Sequence, residues 1–175
     1  AYSMIVNLIA RPEDVILVTG PNYGFFALEP ERLNARVEIL KLKEEDNWYV
    51  NKEDLSKRID EINNNLKKEF EGKLDYVPRV VGFLNMNPHN PLGKVMNKKN
   101  KEILEGIGDV CLEKGVFVID DIIYRGIYIG GNIRADLVKL GYNNEDLKSY
   151  QRLNPNWTKK DLVDFDFPTV MSLKL

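Results

Sequence analysis

Three short segments that are apolar throughout, separated by helical segments, constrain the fold of this chain more than any other feature. The apolar segments are residues 15–19, 80–84 and 116–119. Apolar side chains recur at helical spacing ahead of the second segment: Leu55, Ile59, Ile62, Leu66 and Phe70. Strands that are apolar throughout are typical of parallel sheets covered by helices on both faces. The pattern therefore predicts an α/β fold with three layers, α/β/α, and a mostly parallel sheet.

The remaining elements are predicted from spacing and capping. Residues 1–10 carry apolar side chains at helical spacing (Met4, Ile5, Leu8 and Ile9), and residues 23–33 also favour a helix. Residues 35–40 alternate as a strand does. Asn51 and Asn97 each precede an amphipathic helix and are predicted to cap it. Gly115 is predicted to end the second of these helices.

The two ends of the chain suggest a partial domain. The first helix has no capping residue before it, and a predicted strand at residues 169–173 almost coincides with the end of the chain. Residues 132–168 are predicted to form a surface excursion, because residues 143–166 are polar and have little periodicity. We therefore expect residues 1–175 to form a single partial domain.

Composition and charge exclude several classes of partner. The chain is 43% hydrophobic and 30% charged, as in ordinary soluble globular proteins. A net charge of -2 and scattered basic residues argue against nucleic acid or an anionic membrane surface as partners. The single cysteine, Cys111, is predicted to be buried and forms no internal disulfide, which fits a reducing, cytoplasmic location. No apolar run is long enough to span a membrane, and no signal peptide is recognisable.

Polar side chains follow two of the apolar segments at the point where each strand should end. Residues 87–93 (NPHNPLG) follow the second segment, and Asp121 and Tyr124 follow the third. Because ligands of open α/β sheets bind at the carboxyl ends of the strands, this edge is the candidate site.

These residues resemble the motifs of fold-type I pyridoxal-phosphate (PLP) aminotransferases of class I/II, which are similar to aspartate aminotransferase. Residues 87–93 resemble NPxNPTG with Leu92 in place of Thr, residues 121–124 resemble D-x-x-Y, and residues 21–23 resemble P-x-aromatic. Ala1 resembles the end of the loop-helix motif that holds the cofactor phosphate. The resemblance extends to Gly131. It implies the central part of the PLP-binding large domain, amino acid and 2-oxo acid substrates, and a homodimer in the full-length protein.

The resemblance also implies roles for four cofactor-binding residues. Asp121 would lie beside the pyridine nitrogen and favour its protonated form, and it is preferred over Asp120 because it stands three residues before Tyr124. Asn90 and Tyr124 would donate hydrogen bonds to the phenolic oxygen of the cofactor. Tyr23 would stack on the ring, although a core aromatic at a helix start is an equal alternative.

The lysine that binds PLP covalently in this family has only an incomplete motif in this sequence. In the family, a lysine in an S-x-S-K motif forms a Schiff base with PLP. Here the corresponding segment is residues 171–175, in which Lys174 is the candidate but the second serine is missing. A lysine beyond Leu175 is the preferred alternative. The glycine/serine phosphate loop and the small C-terminal domain are likewise expected outside this chain.

Other functions stay open at this stage. The same Asp, Asn and Tyr serve PLP lyases and decarboxylases, so the reaction type is not determined. A non-catalytic or truncated remnant of the fold would lack the lysine. A nucleotide-binding domain would need a glycine-rich turn after the first strand, which residues 20–24 do not provide. His89 is interpreted as a turn residue, because neither a Cys-His dyad, a Ser-His-Asp triad nor a metal site has the required spacing.

Overall fold

The described residues of the computed structural model, 1–97 and 100–124, form a four-stranded sheet flanked by helices. The elements in chain order are α1 (Tyr2–Ile9), β1 (Val15–Gly20), α2 (Phe25–Arg32), β2 (Arg36–Lys41), α3 (Lys52–Phe70), β3 (Val80–Met86), α4 (Lys101–Lys114) and β4 (Phe117–Asp121). The strand order is β2-β1-β3-β4, and every neighbouring pair is parallel. The predicted α/β class and parallel sheet are confirmed.

The sheet register brings the carboxyl ends of the strands to one edge. Gly20 at the end of β1 pairs with Lys41, and Met86 at the end of β3 pairs with Asp121. The turn after β3 therefore begins beside the end of β4. This arrangement places both predicted polar clusters at the same edge.

One face of the sheet is covered by α3 and α4. Four residues of the predicted stripe of α3 are buried, with Leu55 and Ile59 fully inaccessible to solvent, and the fifth, Phe70, is partly buried. Asn51 caps α3 as predicted, because its side chain accepts hydrogen bonds from the N–H groups of Glu53 and Asp54. Gly115 ends α4 in the left-handed conformation, with φ of 65°. Burial of this closed layer would contribute much of the stability of the chain.

The opposite face is covered by α1 and α2, and its core is smaller. Val6 of α1 packs with Ile16, Val18 and Ile119 of the sheet. The absence of a side chain at Gly82 makes room for this layer, since a Cβ there would lie 3.0 Å from Ile16 Cδ1. The predicted helix at residues 1–10 is confirmed, but Met4 and Leu8 of its apolar stripe point outward, with exposures of 76% and 84%.

One predicted cap is wrong. The residue before α4 is Asn100, not Asn97, and its side chain makes no capping hydrogen bond. Instead, Asn100 Oδ1 accepts from the N–H of Asn97 at 2.6 Å, which forms a turn ahead of the helix. Asn97 is therefore part of the turn before α4 and does not cap the helix.

Some predictions concern residues outside those that the structure describes. The surface excursion at residues 132–168, the strand at residues 169–173 and the candidate Lys174 belong to this group. They remain predictions, as does the extent of the partial domain. Among residues 1–97 and 100–124, no helix is long and apolar enough to cross a membrane.

Candidate functional site

A cavity of about 400 Å³ opens at the carboxyl edge of the sheet. Its volume is within the range of about 300–1,000 Å³ that is usual for small-molecule sites. The pocket is lined by the start of the chain, the segment after β1, the end of β3 with the turn that follows, and the end of β4 with the residues that follow. The lining residues are Ala1, Tyr2, Tyr23, Phe25, Phe26, Met86, Asn90, Asp121, Ile123 and Tyr124. The four side chains predicted to bind a cofactor thus line one pocket.

Asp121 is the acidic residue of this pocket. It is the last residue of β4, and its Oδ1 accepts the N–H of Ile123 at 3.0 Å. Its backbone carbonyl accepts the N–H of Asn87 at 3.0 Å, which ties the end of β4 to the turn after β3. The carboxylate is therefore held by its own turn, and the backbone of Asp121 is held by the turn after β3.

Asp120, the rival considered from the sequence, lies on the other face of the sheet. Successive side chains of a strand point to opposite faces. Asp120 Oδ1 accepts a hydrogen bond of 2.6 Å from the Nδ2 of Asn85, a residue that is 1% exposed. Asp120 does not line the pocket, so the two adjacent carboxylates occupy different environments.

Asn90 and Tyr124 meet across the pocket. The Nδ2 of Asn90 donates to the hydroxyl oxygen of Tyr124 at 3.0 Å. This hydrogen bond uses a lone pair of the phenol and leaves the phenolic proton available to a ligand. The Nδ2 of Asn90 carries a second amide proton, which this bond does not use. Together the two side chains present hydrogen-bond donors to one region of the pocket.

The turn that carries Asn90 is held by Asn87. Asn87 is 2% exposed, its Nδ2 donates to the carbonyl of Met96, and its Oδ1 accepts the N–H of Met96, both at 2.9 Å. Asn87 therefore shapes the turn and does not line the pocket. Pro88 and Pro91 flank the intervening residues and restrict their backbone.

An aromatic wall closes the side of the pocket towards α1 and α2. Tyr23 lies 6.0 Å from Phe26, centroid to centroid, in an edge-to-face arrangement, and Tyr2 lies 5.0 Å from Phe26. The hydroxyl of Tyr2 donates to the carbonyl of Phe26 at 3.0 Å, and burial, with a contribution from Glu29, raises the pKa of Tyr2. Tyr23 itself is 56% exposed. At this exposure, Tyr23 is not a core aromatic.

The aromatic wall also contains the residues that the sequence did not single out. Tyr2, Phe25 and Phe26 line the pocket, although only Tyr23 was predicted there. The signal was available in part, since three aromatic residues occur within residues 23–26 directly after a strand end. Tyr2 had no such signal, because its position depends on how α1 packs against α2.

The start of α1 faces the pocket. Ala1 and Tyr2 line it, and α1 begins without a side-chain cap. The first N–H groups of a helix have no partner within the helix and favour anions, because the helix dipole adds positive charge there. Ala1 was predicted to belong to the phosphate-binding element, and it lies beside the other candidate residues.

Among the described residues, His89 and Cys111 do not form a second catalytic group. His89 is 7% exposed and bonds to Thr19, and burial lowers its pKa. Cys111 is buried as predicted, within the layer of α3 and α4, and burial raises its pKa to about 12. Within the described part of the chain, no group of His, Cys, Asp and Glu residues could hold a metal ion.

A family model described as aminotransferase class I and II matches residues 2–147. The chain belongs to this family. The match covers most of the chain and includes the four predicted cofactor-binding residues, Tyr23, Asn90, Asp121 and Tyr124. The fold-type I resemblance drawn from the motifs is therefore confirmed, and with it the assignment to a family of PLP-dependent enzymes.

Curated proteins that are similar to this chain include one named as a lyase and one named as a synthase. Cystathionine beta-lyase PatB of Bacillus subtilis is 27% identical over 148 residues, which are 84% of this chain and 33% of that protein. 1-Aminocyclopropane-1-carboxylate synthase 7 of Arabidopsis thaliana is 24% identical over 155 residues, 88% of this chain and 32% of that protein. The chain thus spans about a third of the length of these relatives.

Solved structures agree on the fold. A PLP-bound structure from Clostridium difficile 630 is 26% identical, with a TM-score of 0.57 over 74% of this chain and 29% of that one. An aspartate aminotransferase mutant of Thermus thermophilus is 19% identical, with a TM-score of 0.58 over 75% of this chain and 29% of that one. The second likeness concerns the fold alone. The α/β architecture of the aminotransferase large domain is therefore shared.

Proposed function

We propose that this chain is the cofactor-binding portion of a PLP-dependent aminotransferase, which transfers an amino group between an amino acid and a 2-oxo acid. The observation that carries the proposal is the convergence of Asp121 with the Asn90–Tyr124 pair in one pocket. The groups that line the pocket fit PLP, because a carboxylate can accept a hydrogen bond from a pyridinium, two side-chain donors can bind a phenolate, and a helix start can bind a phosphate.

Asp121 is proposed to hold the proton on the pyridine nitrogen. A carboxylate beside this nitrogen stabilises its protonated, positively charged form. PLP, when bound, supplies an electron sink for the bond that breaks at the substrate α-carbon, and a protonated ring is the better sink. The hydrogen bond from Ile123 to Asp121 fixes the orientation of the carboxylate for this role.

Asn90 and Tyr124 are proposed to bind the phenolic oxygen of the cofactor. Their mutual hydrogen bond of 3.0 Å orients both side chains before any ligand binds. Each then donates a proton that their mutual bond does not use, and the two donors stabilise negative charge on that oxygen. Tyr23 is proposed to lie against the ring face, where stacking would fix the ring plane.

The phosphate is proposed to bind at the start of α1. The N–H groups of the first turn suit an anion, and Ala1 and Tyr2 already line the pocket. The covalent lysine would come from outside the described residues, either as Lys174 or from beyond Leu175. We therefore propose that turnover belongs to the full-length protein, and that this chain by itself binds the cofactor without catalysing transfer.

A lyase is the second candidate, and a specific observation favours it. PatB and 1-aminocyclopropane-1-carboxylate synthase 7, both similar to this chain, are named for reactions other than amino transfer. The two reactions are distinguished by products of the full-length protein. An aminotransferase consumes 2-oxoglutarate or pyruvate in proportion to the amino acid lost, whereas a β-lyase releases ammonia without a 2-oxo acid acceptor.

The full-length protein is also proposed to be a homodimer. Met4 and Leu8 present a strongly exposed apolar surface on α1, and such surfaces often mark interfaces. Analytical ultracentrifugation of the full-length protein and of its Leu8→Lys variant would test the proposal. A dimer that the substitution dissociates supports it, whereas a monomeric parent protein contradicts it.

Cofactor binding is best measured with pyridoxamine 5'-phosphate. This probe has no aldehyde, so it does not condense with surface lysines and reports the non-covalent site alone. We expect calorimetry to show saturable binding by the chain, weakened about 10- to 100-fold by Asp121→Asn, since hydrogen bonds to charged groups contribute about 1.5–3 kcal/mol. The matched control is Asp120→Asn, which changes the neighbouring carboxylate on the other face and should alter the Kd less than about threefold.

Two outcomes would contradict the proposed function. Equal losses of affinity in the Asp121 and Asp120 variants would mean that neither carboxylate has a specific role. No binding at millimolar probe, by a chain that circular dichroism shows to be folded, would favour the non-catalytic remnant of the same fold.

A further inference from the structure

His89 is a buried polar residue that the pocket does not use directly. It stands next to Asn90 in the turn after β3, yet it does not line the cavity. Only 7% of its surface is exposed. Burial of an imidazole costs free energy unless its nitrogens find partners, so its position requires an explanation.

Thr19, the penultimate residue of β1, is the partner of one ring nitrogen of His89, whereas the other, Nδ1, is buried without a hydrogen-bond partner among the described residues. His89 Nε2 and Thr19 Oγ1 are hydrogen-bonded at 3.0 Å, and Thr19 is 3% exposed. The two residues are 70 positions apart in the sequence. This bond therefore joins the end of β1 to the turn that carries Asn90.

Thr19 makes a second connection through its backbone. The Nδ2 of Asn22 donates to the carbonyl of Thr19 at 2.8 Å. Asn22 directly precedes Tyr23, which lines the pocket. One residue, Thr19, thus holds the segment of Tyr23 through its carbonyl and the turn of Asn90 through its hydroxyl.

The backbone of His89 is fixed as well. Its N–H donates to the carbonyl of Lys94 at 2.8 Å, and its carbonyl accepts the N–H of Gly93 at 2.7 Å. Gly93 has a φ of 64°, which suits glycine in such a turn. Because both the ring and the backbone of His89 are held, the backbone position of the next residue, Asn90, is restricted.

We propose that His89 is a positioning residue, which together with Thr19 locks the Asn90 turn to the Tyr23 segment so that both sides of the pocket keep one geometry. The ring does not touch the ligand and acts through Asn90. A neutral imidazole suits this role, and burial lowers the pKa of His89 accordingly. The inference rests on the proposed function only in naming a PLP-like ligand for the pocket.

The test uses Thr19 variants, which change the partner and leave the ring in place. Thr19→Val keeps the shape and removes the hydroxyl, whereas Thr19→Ser keeps the hydroxyl. We expect Thr19→Val to raise the Kd for pyridoxamine 5'-phosphate about tenfold, the equivalent of one hydrogen bond, and Thr19→Ser to stay within about twofold of the parent chain. His89→Phe should resemble Thr19→Val.

A control separates positioning from general loss of stability. The Oδ1 of Asn63 accepts the N–H of Val80 at 2.8 Å at the opposite end of β3, away from the pocket. Asn63→Ala should lower the free energy of unfolding as the Thr19→Val substitution does, but should leave the Kd unchanged. If Thr19→Val and His89→Phe also leave the Kd unchanged while lowering stability, the positioning role is wrong.

A second readout does not depend on the ligand. In NMR spectra of the chain without ligand, the side-chain amide signals of Asn90 should shift or broaden in Thr19→Val and remain in place in Thr19→Ser and Asn63→Ala. Unchanged Asn90 signals in Thr19→Val would overturn the proposal. If the parent chain does not bind pyridoxamine 5'-phosphate, the proposed function fails, and these signals still decide whether His89 positions Asn90.

Discussion

The face of the sheet under α3 and α4 is closed, whereas the face under α1 and α2 opens into the pocket. The two long helices bury their apolar stripes, including Leu104 and Ile59 at 0% exposure. On the other face, α1 buries Val6 alone and leaves Leu8 84% exposed. Segments with few buried contacts tend to open more readily than closed cores and commonly carry binding sites. The comparison suggests that stability resides mainly on one face and ligand binding on the other.

The same contrast separates neighbours in the sequence. Asp120 and Asp121 point to opposite faces, the first towards Asn85 and the second into the pocket. Within the turn after β3, Asn87 is buried and holds the backbone, while Asn90 reaches Tyr124. The two residues of each pair have the same functional group in different surroundings. Substituting each in turn therefore tests whether stability and ligand binding depend on different residues.

The largest effect is expected on stability, from shortening a buried side chain in the layer formed by α3 and α4. Leu104→Ala should lower the free energy of unfolding by about 2–5 kcal/mol, because it removes a fully buried side chain and leaves a cavity. The matched change Leu8→Ala, on the exposed face of α1, should alter it by less than about 0.5 kcal/mol. Urea unfolding followed by circular dichroism measures both. Equal losses would mean that the two faces contribute alike.

The two asparagines of the turn should separate stability from binding. Asn87→Ala should lower the free energy of unfolding by about 1–3 kcal/mol, since it leaves the buried N–H and carbonyl of Met96 without their partner. Asn90→Ala should cost less stability and weaken the binding of pyridoxamine 5'-phosphate instead. Chemical unfolding and calorimetry on both variants check this. A binding loss in Asn87→Ala alone would reverse the assignment.

A smaller effect is expected from removing one hydroxyl in the pocket. Tyr124→Phe should weaken the binding of pyridoxamine 5'-phosphate about tenfold, the size of a single hydrogen bond, and leave stability nearly unchanged. Tyr49→Phe is the control, because its hydroxyl donates to the carbonyl of Val95 outside the pocket. If both variants bind as the parent chain does, the hydroxyl of Tyr124 has no role in binding.

The smallest effect is expected from the titration of His89. Burial lowers its pKa, so the unfolded chain takes up a proton near pH 6.5 that the folded chain takes up only at lower pH. Stability should therefore fall as the pH falls below about 6.5, until the folded imidazole is also protonated. The free energy of unfolding should be measured from pH 7.5 to 5 for the parent chain and for His89→Phe. The difference between the two pH profiles gives the contribution of His89. Identical pH dependence in both would contradict it.

The strand ends could be predicted from the sequence because polarity changes there abruptly. The apolar runs end at Leu84 and Ile119, and the structure ends β3 two residues later at Met86 and β4 two residues later at Asp121. The buried stripe of α3 followed from its period in the same way. In both cases the signal lies within one element, because side chains that face the core are apolar whatever the arrangement of the other elements.

Features that depend on tertiary packing could not be predicted. The helical spacing of α1 indicated a helix but not that Val6 would face the sheet and Met4 the surface. The choice between Asn97 and Asn100 before α4 depends on the turn they form together. Tyr2 and Phe26 became part of the site because α1 and α2 pack together. The bond between Thr19 and His89 spans 70 positions and has no local signal.

The most direct test of the proposed site is to map where the cofactor analogue binds. Two-dimensional NMR spectra of the chain, titrated with pyridoxamine 5'-phosphate, would report the backbone amides affected. We predict shifts at Tyr23, Asn90, Asp121 and Tyr124, with the amides of α3 and α4 unchanged. Shifts concentrated on α3 and α4, or none at saturating probe, would contradict the assignment of cofactor binding to the pocket at the carboxyl edge of the sheet.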